Sequence, residues 1–248
     1  MKKIVVFSGA GLSKESGIPT FRDSVDGLWE NHRIEDVASP EGWRRGRETV
    51  LRFYEERMAS IAKCEPNAAH LAFAKLEGKF EVHHVTQNID NLLERAGCSN
   101  VLHLHGTIGH RKCENHVSLS RWDEAFSDAG FESHFTCDYR VPHVEPVKLG
   151  DTCVKCGGEM RPDVVWFGEP VNMGQVQPLI EGTYAFVVVG TSCQVYPAAD
   201  LLWAFQRAPR KVLIDPNPQE GLSASFLQIN QPASVGVPQV VEALLKHG

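Results

Sequence analysis

Lys3-Ile4-Val5-Val6-Phe7-Ser8-Gly9-Ala10-Gly11-Leu12-Ser13 is the stretch that decides the fold. A β-branched apolar run that breaks at a Ser-Gly-Ala-Gly turn is the usual entry to an α/β nucleotide site. The run suits a buried strand, and the glycines allow a tight turn with close backbone approach to an anion. We read Gly9-Ala10-Gly11 as that turn, with a helix N-terminus behind it to offer N–H groups. Many strand-to-helix turns use glycine for steric reasons alone, and that alternative stands beside the first. The dinucleotide fingerprint G-x-G-x-x-G is incomplete, because its third glycine position holds Lys14. This disfavours a hydride-transferring Rossmann enzyme and leaves a nucleotide ligand in place.

Outward from that turn the pattern alternates. Residues 81–86, 101–104, 184–189 and 211–214 read as strands, and 48–63, 67–77, 89–95, 198–207 and 238–247 read as helices. Such alternation predicts a mainly parallel sheet covered on both faces. Residues 109–163 differ: they are rich in Cys, His, Pro and charge and poor in aliphatic runs, as an inserted module would be. The fold class is therefore α/β, a Rossmann-like parallel sheet domain with a smaller zinc-binding and helical module inserted. The expected division assigns 1–24, 78–108 and 164–248 to the nucleotide-binding domain, 25–77 to a helical module and 109–163 to a zinc-binding module.

Composition narrows the class. With 248 residues, 42% apolar and 23% charged, the chain is long enough to bury a large core and is not intrinsically disordered. The longest apolar runs, 4–7 and 185–189, are strand length and far short of a membrane span. Lys+Arg of 25 against Asp+Glu of 31 gives a net charge of −6, which is no nucleic-acid footprint. Seven cysteines without an export signal point to a reducing cytoplasm and to metal or buried thiols rather than disulfides. The sequence thus predicts a soluble, cytoplasmic, monomeric enzyme with no membrane or nucleic-acid partner. It begins directly at the first strand, so no regulatory extension is expected.

Six segments then occur in order. Gly9-Ala10-Gly11-Leu12-Ser13 continues to Ser16-Gly17-Ile18-Pro19-Thr20-Phe21-Arg22. Thr86-Gln87-Asn88-Ile89-Asp90 and His103-Leu104-His105-Gly106 follow. Next come a cysteine-rich insert ending in Cys153-Val154-Lys155-Cys156, then Val164-Val165-Trp166-Phe167-Gly168-Glu169, and last Gly190-Thr191-Ser192 with Val195-Tyr196-Pro197. Together they resemble the sirtuins, the NAD-dependent protein deacylases, from about residue 3 to the C-terminus.

The resemblance implies roles residue by residue. Ala10, Gly11 and Arg22, beside Gly9, would hold the pyrophosphate region of NAD, and Phe21 would cover the reacting ribose. Gln87 would touch the nicotinamide ribose, and Asn88, Ile89 and Asp90 would line the nicotinamide pocket. Asn-Ile-Asp-Asn is also a good helix cap by residue type, and both uses stay open. Gly190, Thr191, Ser192, Asp215, Asn217 and Ala233 complete the cofactor-binding set. Asp215-Pro216-Asn217 stands where sirtuins commonly carry Ile-Asn, so a carboxylate replaces an amide at the adenosine ribose. His105 is the candidate general base, since imidazole titrates near neutrality. The chain has 11 histidines, and His103 shares a strand face with His105. The place immediately before Gly106 selects His105. In the implied reaction the acyl-lysine oxygen displaces nicotinamide, His105 activates a ribose hydroxyl, and free lysine leaves with 2′-O-acyl-ADP-ribose.

Cys153 and Cys156 form a Cys-x2-Cys pair, which presents two thiolates to one tetrahedral ion and signals structural Zn2+. The other half is irregular, because Cys113 stands alone and Cys137 lies far downstream. A four-cysteine site is favoured, with His116 in place of Cys137 as the alternative. Cys64, Cys98 and Cys193 read as small core residues. By the resemblance, Val165, Phe167, Gly168, Glu169, Val195 and Tyr196 would flank a cleft where an acyl-lysine peptide lies as an added strand. Tyr54 and Arg57, three apart on one helix, can clamp a carboxylate. With the small Ala38 upstream, this Tyr-x-x-Arg resembles the bacterial sirtuin subgroup that removes succinyl and malonyl groups. The bland alternative is an amphipathic helix with a surface arginine. The leading rival is an NAD-dependent mono-ADP-ribosyltransferase, followed by a non-catalytic NAD-responsive module.

Overall fold

The opening run forms strand β1 (Lys3–Ser8) in a computed structural model that describes residues 1–20, 33–115, 137–191, 200–217 and 225–248. Phe21, Arg22, His116, Ser192, Val195 and Tyr196, all candidates at the site, lie outside these residues, as does Cys193. Two three-residue 3-10 turns, Ala10–Leu12 and Lys14–Ser16, follow β1. Then come helices α1 (Ile34–Val37), α2 (Pro40–Arg45), α3 (Arg47–Ala62) and α4 (Ala68–Leu76), strand β2 (Glu81–Thr86) and helix α5 (Leu92–Arg95). Strands β3 (Val101–His103), β4 (Gly106–Cys113), β5 (Arg140–Pro142) and β6 (Met160–Val164) are next. Helix α6 (Gln177–Ile180), strand β7 (Thr183–Val189), helix α7 (Leu201–Ala204), strands β8 (Arg210–Ile214) and β9 (Leu227–Ile229) and helix α8 (Ala233–His247) complete the order.

Six strands pair in the order β3-β2-β1-β7-β8-β9, every pair parallel. Along β1, Ile4 and Val6 enter a core shared with α4 and α8. Val5 and Phe7 enter the opposite core with Phe186, Leu201 and Phe205. Burial on both faces is why the run is continuously apolar instead of alternating. The sheet is α/β and doubly covered, as the alternation predicts. Chain order reverses between β1 and β7, which opens a crevice at their carboxyl ends.

Helix boundaries shift where local chemistry intervenes. The last helix begins at Ala233, five residues before the predicted start at Pro238. The Glu15 carboxylate accepts from Ser234 N–H (2.8 Å) and Oγ–H (2.7 Å), so the helix is capped from another part of the chain. Pro238 then lies in the second turn. Gly236 lets α8 sit close on the sheet, since a Cβ there would meet Ile214 Cγ2 at 2.5 Å.

A second sheet, β5-β4-β6, is antiparallel and carries the cysteine-rich segment. It shares one core with α1, α2 and α3: Val37, Trp43, Val50, Phe53 and Tyr54 meet Ile108, Cys113, Met160 and Trp166. Glu114 fastens the two parts. It accepts from Trp43 Nε1–H (3.1 Å) and from Arg47 (2.8 Å), and Arg47 reaches on to Glu159 (2.6 Å). Helix α4 packs instead on the parallel sheet through Ala69, Ala72, Phe73 and Leu76. Among the described residues no helix is long and apolar enough to cross a membrane.

Candidate active site

The described candidates for cofactor binding lie in the segments that follow the carboxyl ends of the parallel strands β1, β2, β7, β8 and β9. Gly9 N–H donates to the Val189 carbonyl (3.0 Å) and Gly11 N–H to the Gly190 carbonyl (2.8 Å). A Cβ on Gly11 would lie 2.6 Å from Gly190 Cα, and one on Gly190, whose φ is +59°, would lie 2.4 Å from Leu12 N. These glycines let two loops pack backbone on backbone, so the steric use of the turn is realised. The predicted α-helix behind it is replaced by the two 3-10 turns, closed by Gly17 at φ +95° with Pro19 beyond. An anion held by a helix terminus is therefore not built here. Asn67 anchors the loop from outside: its Nδ2 donates to Leu12 O (2.8 Å) and Ser16 Oγ (3.0 Å), while its Oδ1 caps α4 at Ala69 N–H (2.9 Å).

The loop after β2 is knitted to the same turn. Thr191 Oγ1–H donates to Gln87 Oε1 (2.9 Å), and Asn88 Nδ2 donates to Ser13 Oγ (3.1 Å). Ser13 Oγ–H donates in turn to Asp90 Oδ2 (2.9 Å), and Leu92 N–H donates to Asp90 Oδ1 (3.0 Å). Asp90 thus accepts from the first residue of α5, which starts at Leu92 and not at Ile89. Burial pushes its carboxyl above the usual range, against the bonds from Leu92 and Ser13. At the far end, Asn217 N–H donates to Oδ1 of buried Asp215 (2.9 Å), and Ala233 opens α8.

His103 and His105 are separated by their hydrogen bonds. His103 donates from Nδ1 to the Asn88 carbonyl (2.7 Å) and from Nε2 to Glu94 (2.8 Å). Burial opposes its charge, but Glu94 and the Asn88 carbonyl raise its pKa above the ordinary value. His105 donates from Nδ1 to the Gln87 carbonyl (3.1 Å). A carbonyl only accepts, so the proton sits on Nδ1 and the Nε2 lone pair is available. Burial lowers the His105 pKa, and the Gln87 bond only partly offsets it.

One extended segment stitches His105 to the helical side. Val165 N–H donates to the His105 carbonyl (2.9 Å), and Phe167 N–H donates to the Ala38 carbonyl (3.0 Å). Trp166 Nε1–H donates to the Tyr54 hydroxyl (3.0 Å). Tyr54 is buried, and that burial pushes its phenol up to about 12. Arg57 is half-buried, whereas Arg52 on the same helix is exposed. Burial lowers the Arg57 pKa, and the nearby Tyr54 and Asp90 raise it. Its guanidinium lies 5.5 Å from the Phe53 ring centroid. Glu169 accepts from Arg161 Nη2 (2.6 and 2.8 Å) and Trp166 N–H (2.9 Å), so its carboxylate shapes the turn at Gly168. Phe167 stands 52% exposed at that turn.

The four cysteines converge. Cys113 and Cys156 Sγ atoms are 3.4 Å apart, Cys137 and Cys153 are 3.6 Å apart, and all four lie within 4.8 Å of one another. A tetrahedral Zn–S4 site has sulfur–sulfur edges of ~3.8 Å. The donor set therefore fits one zinc ion. Cys137, remote in sequence, is brought in by its N–H to the Asn115 carbonyl (3.0 Å).

The Sir2 family profile matches residues 9–197. The chain belongs to the Sir2 family. An NAD-dependent protein deacylase of Vibrio vulnificus (strain YJ016) is 41% identical over 99% of this chain and 95% of that protein. A Sir2 homologue solved as an NAD complex superposes with a TM-score of 0.80 at 32% identity, covering 99% of this chain and 90% of that one. A mutant Sir2 homologue with 2′-O-acetyl ADP ribose gives 0.79 at 31% identity, with 99% and 92% covered. The Sir2 match ends at residue 197, before Asp215. For this Sir2 chain the crevice donors fit a dinucleotide: hydroxyls and amides of Ser13, Gln87, Asn88 and Thr191, with carboxylates Asp90 and Asp215 at opposite ends. Sequence reasoning left out Ser13, Asn67 and Trp166. Ser13 and Trp166 sat inside quoted motifs, and that position was the available signal.

Proposed function

We propose that this Sir2 chain is an NAD-dependent protein-lysine deacylase that removes acetyl groups and also succinyl and malonyl groups. What carries this is the environment of His105: an imidazole fixed at Nδ1, with Nε2 available, bonded through its own carbonyl to the segment that reaches Ala38 and Tyr54. NAD, when bound, supplies the cleavable nicotinamide bond and the ADP-ribose that accepts the acyl group. Gly9, Ala10, Gly11, Gly190, Thr191, Asp215, Asn217 and Ala233 would bind its adenosine and pyrophosphate side, and Gln87, Asn88, Ile89 and Asp90 its nicotinamide side. His105 Nε2 would take a proton from a ribose hydroxyl, and the enclosed site would exclude water that hydrolyses NAD unproductively. Val165, Phe167 and Gly168 would pair with the peptide, with Glu169 holding their turn.

Tyr54 and Arg57 would bind a distal carboxylate, the phenol as donor and the guanidinium as charge partner. The half-burial of Arg57 supports this over a surface arginine. The proposal includes a nucleotide-binding domain of 1–24, 78–108 and 164–248, with modules at 25–77 and 109–163. It also includes a cytoplasmic monomer acting on acyl-lysine proteins, consistent with free cysteines and a net charge of −6. The test is turnover of paired acetyl- and succinyl-lysine peptides with NAD, products resolved by mass. Expected are free lysine and 2′-O-acyl-ADP-ribose from both. ADP-ribosylated protein without acyl-ADP-ribose would instead establish the transferase.

A further inference from the structure

Away from the crevice, three side chains of metal-ligating type meet beneath the sheet edge. Glu77 closes the end of α4, His84 lies mid-way along β2, and Cys98 sits in the turn between α5 and β3. One ligand atom from each lies within 4.8 Å of the other two, and His84 Nε2 is 3.3 Å from Glu77 Oε1. Neighbouring ligands of a tetrahedral zinc ion lie ~3.3–3.8 Å apart, so an ion would draw the sulfur inward from its 3.8 Å contact with the His70 carbonyl. We propose that Glu77, His84 and Cys98 form a second divalent-cation site, of the zinc class, distinct from the four cysteines.

Three observations carry it. His84 is fully buried, and the ring nitrogen that faces the cluster, Nε2, meets Glu77 only across a long 3.3 Å contact, which a shared cation would replace by two short bonds. A thiolate and a carboxylate around a doubly charged cation sum to zero, which suits a buried place where no lysine or arginine among the described residues pairs with Glu77. Glu77 is already oriented: Ser99 donates to it from N–H (2.8 Å) and Oγ–H (2.6 Å), the outer bonds expected around a ligating carboxylate. Ser99 and Asn100 are exposed, so the cation enters from that side and a water takes the fourth position. On binding, the Cys98 S–H bond breaks, its proton goes to solvent and an S–metal bond forms. His70 is not a ligand, because its Nδ1 accepts from Asn67 N–H (3.2 Å) and its proton therefore sits on Nε2.

The test titrates Co2+ into the zinc-loaded protein while zinc retention at the four cysteines is monitored. One further equivalent should bind, with thiolate charge-transfer absorption. Cys98→Ser should abolish that band, and Glu77→Gln should weaken binding at least tenfold, both with the first zinc retained. In the unmodified protein, Zn2+ should slow alkylation of Cys98 at least tenfold, a readout independent of how the variants fold. No second equivalent, or a charge-transfer band that persists in Cys98→Ser, or an affinity unchanged in Glu77→Gln, or a Cys98 alkylation rate unmoved by Zn2+, overturns the proposal.

Discussion

At position 105 the protonation state is set by one backbone carbonyl and by burial, both acting before any substrate arrives. Because burial holds the His105 pKa below 6.5, Nε2 stays unprotonated down to mildly acid pH. The acid limb of kcat/KM for deacylation should therefore fall below pH 6.5, and a pH–rate profile checks this; a limb centred above 6.5 would contradict it. His103, two residues away, has both nitrogens donating and cannot take the same part. Residue type alone did not separate the two, since both give Nδ1 to a loop carbonyl and the deciding partner is the Glu94 carboxylate, which takes Nε2 of His103. Only the place before Gly106 told them apart. Arg57 is the second residue with a sharp expectation. Arg57→Met should cost about 2–4 kcal/mol in transition-state binding of succinyl-lysine peptides and leave acetyl-lysine turnover nearly unchanged. Parallel kcat/KM measurements decide, with an equal loss on both peptides ruling out the clamp.

Among the elements, the two glycine loops after β1 and β7 depend on each other. Gly11→Ala would put a methyl group 2.6 Å from Gly190 Cα, against backbone that cannot rotate aside. We expect destabilisation of about 1–3 kcal/mol, read by urea unfolding, with a raised KM for NAD because both loops must move. Strands β1 and β7 were legible because burial on two faces leaves a continuous apolar signature. Helix starts were less legible. Asp90 moves the start of α5 to Leu92, and Glu15 sets the start of α8 from more than two hundred residues away. The Glu15 influence is remote in sequence, so propensity could not locate it, whereas the Asp90 bond is local and was obscured by the apolar Ile89 that precedes it. The 3-10 turns after Gly9 were missed for a related reason: they are held by Asn67 at the head of a separate helix.

For the molecule as a whole, pH acts through histidines buried without charge. His70 has its pKa lowered to about 4 by burial, with His84 adding to the effect. Its unfolded value is near 6.5. Between these values the unfolded chain binds the extra proton, so stability is complete above pH 6.5 and falls as pH drops toward 4. From His70 alone the loss is up to about 3 kcal/mol. Urea unfolding at pH 7.5 and pH 4.5 should show a marked drop, and equal midpoints would contradict it. The cysteine cluster acts at the same scale. Cys153→Ala should release the ion and unfold the β5-β4-β6 sheet, checked by metal content and by proteolysis within 109–163.

Glu114 follows Cys113 directly and grips both Trp43 and Arg47 at the start of the helix that presents Tyr54 and Arg57. Loosening the thiolates would therefore disturb first the wall proposed to hold the acyl carboxylate, some distance from where the glycosidic bond would break. A chelator-treated sample should grow indiscriminate between acetyl and succinyl peptides before nicotinamide release fails. In this enzyme the ion that takes no part in bond-making would then be the keeper of selectivity.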